Sequence, residues 1–286
     1  TPFHRAWLRT PRRATCGAPR RLPPLPPGLD PGRLPTLSDL GLHQEVDDPM
    51  PGGETDARRR LRGFVANRAD HYDEKRNLLG EDGASRLSPY LHFGCLSPRE
   101  VEDRVADAAF RRQLCWRDFF AHVLLHFPDN AHCEHQTRYR RKIRWSHSRR
   151  LFEAWCEGRT GYPLVDAAMR QLKHEGWMHN RARLVAGSFL TKDLGIDWRW
   201  GERWFMRLLL DGDEASNNGN WQWIASVGVD PQPAFRRMFN PARQQARFDA
   251  DEKYLRRYVA DLGDEDYPDP IVDHASARRD ALERYR

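Results

Sequence analysis

The stretch "GYPLVDAAMRQLKHEG", residues 161–176, decides the fold. Its apolar residues Leu164, Val165, Ala168, Met169 and Leu172 recur at the spacing that gathers them on one face of an α-helix. Pro163 suits a first turn, where its missing N–H would have no partner in any case, and Gly176 suits the stop. The neighbouring sequence reads the same way. Further helices are expected over residues 97–109, where Ser97 and Glu100 have capping-box spacing, and over 111–126, 180–194 and 201–210. No convincing run of alternating apolar and polar residues marks a strand. The expected fold is therefore mostly α, a compact multi-helix domain.

Towards the N-terminus the texture changes. Eleven of the 20 prolines fall within the first 51 residues, clustering in "RRLPPLPPGLDPGRLP". Proline removes backbone donors and favours extended conformations, so residues 1–54 read as a linker or arm and residues 55–286 as the helical domain. With 39% hydrophobic and 31% charged residues the 286-residue chain has the balance of a soluble globular protein, and it contains no apolar run of membrane-span length. Five scattered cysteines without a C-x-x-C pair fit reduced thiols, so a cytoplasmic protein is expected.

Net charge +6 is mild support for a polyanionic partner. "RYRRKIRWSHSRR", residues 138–150, puts seven cations in thirteen residues with Tyr139 and Trp145 interleaved, which is either a phosphate-neutralising stripe or a solvated basic face. "HCEH", residues 132–135, matches no common zinc spacing and reads as a polar surface loop, so no metal is expected. Ser85 and Ser88 precede a short apolar helix, where hydroxyls cap a helix or receive a phosphate. Nine of the ten tryptophans lie between residues 116 and 223. Each one alone is best explained as core; the excess together also suits stacking on bases or flavin-like rings, or relaying an electron. Against this basic background, "DGDEASNNGNWQW", residues 211–223, is acidic. It reads as a loop before a helix that begins near Asn220, and its carboxylates and amides suit a heterocycle with N–H donors better than a phosphate chain.

Taken together, "SRLSPYLHFGCLSPRE", "QLCWRDFFAH", the long run from Trp155 to Trp223 and "FNPARQQARFD" closely resemble the FAD-binding catalytic domain of the DNA photolyase and cryptochrome family. The resemblance implies FAD as cofactor. On it, Tyr72, Ser85, Arg86, Leu87 and Ser88 match positions that hold the diphosphate and its surroundings, and Asp211, Gly212 and Asp213 match the loop around the flavin. Asn217 matches the residue facing flavin N5. Trp221, Trp198 and Trp145 match an electron relay to the surface. Trp116 and Trp223 match the walls around a flipped pyrimidine dimer, and Arg76, Gln113, Arg117, Asn180 and Arg181 match contacts to the lesion or DNA.

The activity so implied is light-dependent repair of cyclobutane pyrimidine dimers in UV-damaged DNA, by electron transfer from excited reduced FAD. The alternative is a cryptochrome-like blue-light photoreceptor. The Asn at position 217 and the retained tryptophan walls favour repair. Two departures stand out: Gln113 where the best-known photolyases have Glu, and Leu184 where Met is common. "TPFHRAW" resembles the segment that leaves the family's antenna domain, so an antenna chromophore is not expected in this chain. It is expected to act as a monomer.

Overall fold

The computed structural model describes residues 1–17 and 19–286. The chain opens with helix α1 (Pro2–Arg9), an element the proline-rich reading did not anticipate. It is anchored by Trp7, whose buried indole Nε1 donates to Asp118 Oδ2 at 2.7 Å. The described residues of the arm then run exposed until residues 44–50, where it returns to the domain. Val46 enters the main core, and Asp48 N donates to His174 O at 2.7 Å.

Helices α2 (Glu54–Asn67), α3 (Tyr72–Lys75), α4 (Ser88–His92), α5 (Pro98–Arg104) and α6 (Ala108–His126) follow. A small core forms among them from Leu61, Phe64, Leu87, Tyr90, Val101 and Phe110. The larger core is built by α7 (Arg149–Glu157), α8 (Pro163–Glu175), α9 (Asn180–Ser188), α10 (Trp198–Leu208) and α11 (Glu214–Ile224). Three further helices close the chain: α12 (Pro241–Phe248), α13 (Lys253–Tyr258) and α14 (His274–Arg284). The only β feature among the described residues is one isolated bridge, Ser146 to Ile196.

Helix α8 forms as its periodicity demands. Leu164, Val165, Ala168, Met169 and Leu172 are all fully buried, and burying each of the larger ones contributes about 1.5–3 kcal/mol. Gly176 ends the helix in the left-handed conformation (φ 61°).

Elsewhere local signals were overruled. Ser97 makes no side-chain capping bond; α5 stops at Arg104, and a new cap, Asp107, starts α6 by accepting from Phe110 N at 2.6 Å. Asp197 likewise starts α10 at Trp198, three residues before Gly201. The segment from 180 continues past α9 through a π-helical turn, Phe189–Asp193.

Two corrections matter for the site. The acidic stretch is not a loop as far as Asn220: Asp213 Oδ1 accepts from Ser216 N at 2.8 Å, and α11 begins at Glu214. Asparagine and glycine are poor helix formers, so neighbours must hold "SNNGN" helical. Asn218 Nδ2 donates to Asn130 O and Glu202 Oε1, and a Cβ at Gly219 would collide with the Phe120 ring, so only glycine lets α6 and α11 pack this closely. The second correction concerns "HCEH". His132 is exposed and Cys133 half-buried, as a surface loop would have them, but Glu134 is buried and pairs with Arg199, and His135 N donates to Gln222 Oε1, so the second half of the segment packs against the interior.

Candidate functional site

A cavity of about 490 Å³ opens between α3, α4, α6, α9 and α11. Four separate stretches of chain converge on it. Of the residues expected at a site, Tyr72, Arg76, Ser85, Arg86, Leu87, Ser88, Gln113, Trp116, Arg117, Asn180, Asp211, Asp213 and Trp223 line its wall. Gly212, Arg181 and Asn217 do not, and neither do Trp145, Trp198 and Trp221.

The inner wall is polar and fixed. Asp211, its side chain 6% exposed, accepts from Arg183 at both carboxylate oxygens, 3.0 and 2.9 Å. Arg183 is itself oriented by donating Nε to Met178 O at 2.8 Å. The acidic stretch thus finds its cation on α9, far away in sequence. His179 Nδ1 accepts from Arg181 N at 3.1 Å, which places the ring proton on Nε2; that atom is buried and has no partner among the described residues. Burial first, then the cations Arg181, Arg86 and Arg183, push the His179 pKa down to about 4, so the ring is neutral at pH 7. Burial also pushes the Tyr72 phenol up to about 12.

Arg86 holds a left-handed backbone conformation (φ 52°), which costs a non-glycine residue about 1–3 kcal/mol. The turn points its guanidinium at Glu175 Oε2 (2.8 Å) and over the Trp177 ring (4.3 Å), while Ser85 Oγ accepts from Leu87 N at 3.3 Å. Ser88 is the first residue of α4, not a residue ahead of it, and its hydroxyl accepts from Trp177 Nε1 at 3.4 Å. Asn217 stands beside the wall, one turn into α11. Its Nδ2 donates to Glu202 O at 2.9 Å, leaving Oδ1 as an acceptor without a partner among the described residues.

The mouth is aromatic and more open. Trp116 is 36% exposed and stacks on Phe120 (6.1 Å, 30°). Trp223 is half-buried beneath the Arg237 guanidinium, 4.2 Å from its centroid. Gln113 Nε2 donates to Ala109 O at 3.2 Å and Arg117 to Leu91 O at 3.3 Å. Arg181 lies behind the wall, bonded to Asn77 Oδ1 at 2.7 Å and stacked on Phe248 at 4.3 Å. None of the cations in residues 138–150 lines the cavity.

Trp221 and Trp198 are buried, whereas Trp145 is partly exposed near the Tyr285 ring, 6.3 Å away. Gly201 makes room for Trp221: a Cβ there would overlap the indole. Sequence reasoning missed Arg183, His179, Phe120 and Asn220, all of which line the cavity. Arg183 was findable, standing one helical turn after Asn180 in "HNRAR". Among the described residues no three His, Cys, Asp or Glu side chains gather as metal ligands.

A family model described as the FAD binding domain of DNA photolyase matches residues 110–265. The deoxyribodipyrimidine photo-lyase of Synechococcus is 40% identical over 310 residues, covering 96% of this chain and 63% of its own. A bacterial class III photolyase from Agrobacterium tumefaciens superposes with a TM-score of 0.83 at 34% identity, over 100% of this chain and 67% of that one. An archaeal photolyase from Sulfolobus tokodaii, solved with two FAD molecules, gives 0.76 at 37% identity over 84% and 57%. The chain therefore spans about two thirds of the length of such relatives or less.

Proposed function

The chain belongs to the DNA photolyase family, whose FAD-binding domain it carries, and from that premise we propose that it repairs cyclobutane pyrimidine dimers in UV-damaged DNA under blue light. The observation that carries this reading is one cavity with two unlike ends, a fixed polar wall inside and a tryptophan-walled mouth outside.

The residues present fit FAD. His179 Nε2–H is a buried donor without a protein partner, suited to a ligand oxygen. Asn217 Oδ1 and the Asp211 carboxylate are acceptors held in place by Glu202 O and Arg183, suited to flavin N–H groups. Tyr72, Ser85, Arg86, Leu87 and Ser88 supply hydroxyls, one cation and an apolar side chain on a second side of the same space, where the diphosphate and adjoining parts would lie. When bound, reduced and excited FAD supplies the electron that opens the cyclobutane ring and receives it back once the ring has split.

The protein's own residues do the rest. Trp116 and Trp223 offer ring faces to an extruded dimer, and each stacked base contributes ~1–3 kcal/mol. Photolyases are among the enzymes that take a base out of the duplex stack, and a damaged base costs less to extrude. Gln113, Asn180, Arg76 and Arg117 contact the lesion or its flanking DNA, with Arg181 supporting them from behind. Trp221, Trp198 and Trp145 carry an electron inward from the surface to restore the reduced cofactor. Five free cysteines accord with a reducing compartment, and we propose a cytoplasmic monomer acting on DNA.

The test is direct. Purified, reduced protein is irradiated with a dimer-containing oligonucleotide and the remaining dimers are counted. Dimers disappear only in blue light if the proposal holds, and persist in light and dark alike if it is wrong.

A further inference from the structure

Trp221 and Trp223 stand two residues apart on α11, and the function proposed above gives them opposite duties: Trp221 passes electrons, whereas Trp223 has only to stack on a lesion. The indoles themselves are alike, but their surroundings are not. Trp221 meets neutral rings, Phe205 at 4.9 Å and Trp155 at 6.2 Å between centroids, and among the described residues no cation lies over its face. Trp223 lies under the Arg237 guanidinium, 4.2 Å from its centroid. Arg237 does not line the cavity, so its charge backs the wall from the protein side.

This cation is deliberately placed by the fold. The adjacent Arg236 is exposed, whereas Arg237 is 2% exposed; its Nη2 pairs with Asp230, and its Nη1 is buried with no partner among the described residues. Ser188 Oγ donates to Arg237 O at 2.9 Å and accepts from Phe239 N at 3.1 Å, which ties the turn Ala234–Arg237 to α9. A guanidinium stays protonated at any working pH. Its partner Asp230 is far more exposed, so water screens the carboxylate more than it screens the cation. The Trp223 ring therefore sits in an excess of positive charge. Trp198 provides the contrast: Arg199 covers it at 4.7 Å, but that guanidinium pairs with both Glu134 and Asp197, and Glu134 also accepts from the indole Nε1.

Removing an electron from a ring beneath an undercompensated cation works against Coulomb repulsion, which a low-dielectric interior magnifies. We infer that Arg237 acts through Trp223 as an electrostatic shield, keeping the lesion-stacking tryptophan from giving an electron to the light-excited oxidised cofactor and confining that step to Trp221. The inference rests on the proposed FAD function. With the shield in place, Trp221 gives one electron to the cofactor and regains one from Trp198. Without it, Trp223 gives the electron; its radical loses the ring N–H proton to water, takes up dissolved oxygen and is lost as a stacking wall.

The test maps oxygen added to each tryptophan by mass spectrometry, in two experiments on the full chain. In the first, protein loaded with oxidised FAD is illuminated in air. In the second, protein without FAD is treated in the dark, in air, with hexachloroiridate(IV), which accepts one electron. That oxidant is an anion drawn towards Arg237, so loss of the arginine lowers its access and works against the expected result. Arg237→Met raises oxidation of Trp223 by about ten-fold in both experiments, equivalent to ~1.4 kcal/mol on the barrier. Arg237→Lys restores a cation and returns Trp223 to the wild-type level. Asp230→Asn keeps an acceptor for Arg237 but removes the counter-charge, so it lowers oxidation of Trp223 below wild type.

Because Asp230→Asn leaves the buried arginine in place, it decides the matter even where Arg237→Met does not fold. Equal oxidation of Trp223 in wild type and Arg237→Met, a lysine variant that oxidises like the methionine one, or an Asp230→Asn protein no different from wild type overturns the shield and leaves the proposed function standing. A protein that takes up no FAD overturns the proposed function, and the dark oxidation then still decides whether Arg237 shields Trp223.

Discussion

The inner wall of the cavity and its mouth solve opposite problems. Inside, the key polar groups are held from one side: Asp211 by Arg183, His179 Nδ1 by Arg181 N and, beside the wall, Asn217 Nδ2 by Glu202 O. What stays uncommitted, His179 Nε2 and Asn217 Oδ1, stays so in a fixed direction. At the mouth, Trp116 and Trp223 present broad faces with few directional bonds, and the exposure of Trp116 leaves room for a large partner. A fixed polar wall suits a resident group that must not leave, whereas an open aromatic rim suits a substrate that must come and go.

The strongest way to break that contrast is at Asp211. Asp211→Ala leaves the partly exposed Arg183 without its counter-charge and is expected to lower stability by about 1–3 kcal/mol, the range for leaving a hydrogen-bonded group unpaired. Thermal unfolding checks the loss, and flavin absorbance after gel filtration checks that FAD no longer stays bound. Unchanged FAD retention would show that the inner wall is not the flavin's wall.

Of similar size is the effect of acid on the same wall. The folded-state pKa of His179 is depressed to about 4, below the ordinary 6.5, so the unfolded chain binds more protons between those values. Its contribution to stability is complete above pH 6.5 and is lost as pH falls towards 4, a difference of about 3 kcal/mol. Denaturant titrations across that window test this: His179→Asn flattens the slope there, and an identical slope in wild type and variant would refute it.

At the mouth the expected effects are smaller and of another kind. Trp223→Ala weakens binding of dimer-containing DNA by ~1–3 kcal/mol, read by fluorescence anisotropy, while FAD remains bound. Equal loss of FAD and of DNA binding would erase the distinction between the two ends. Smallest of all, Gln113→Glu leaves FAD and stability unchanged and raises the dimers repaired per photon, since a carboxyl group can share a proton with the electron-bearing lesion where an amide cannot. A lower yield would show that this amide is the better fit here.

Legibility followed the range of the forces involved. Helix α8 could be read directly, because a single face, one proline and one glycine specify it locally. The start of α11 could not: "SNNGN" is a poor helix by propensity and becomes one through Asn130, Glu202 and the tight approach of Phe120 to Gly219. The same holds for the site. Residues 72–88, 113–117, 180 and 211–223 meet in space, but no spacing rule connects them, and only the family resemblance brought them together on the page. Arg183 and His179 escaped because their roles depend on the fold around them: a carboxylate 28 residues away for one, a place on the cavity wall for the other.

The central claim is that one chain holds a flavin by its inner wall and leaves the aromatic rim free. Titration of the apoprotein with FAD, followed by gel filtration and a visible spectrum, tests it most directly. Wild type and Trp223→Ala are expected to carry one flavin per chain, and Asp211→Ala to retain none. A wild-type protein that emerges colourless, or an Asp211→Ala protein as yellow as wild type, would contradict it.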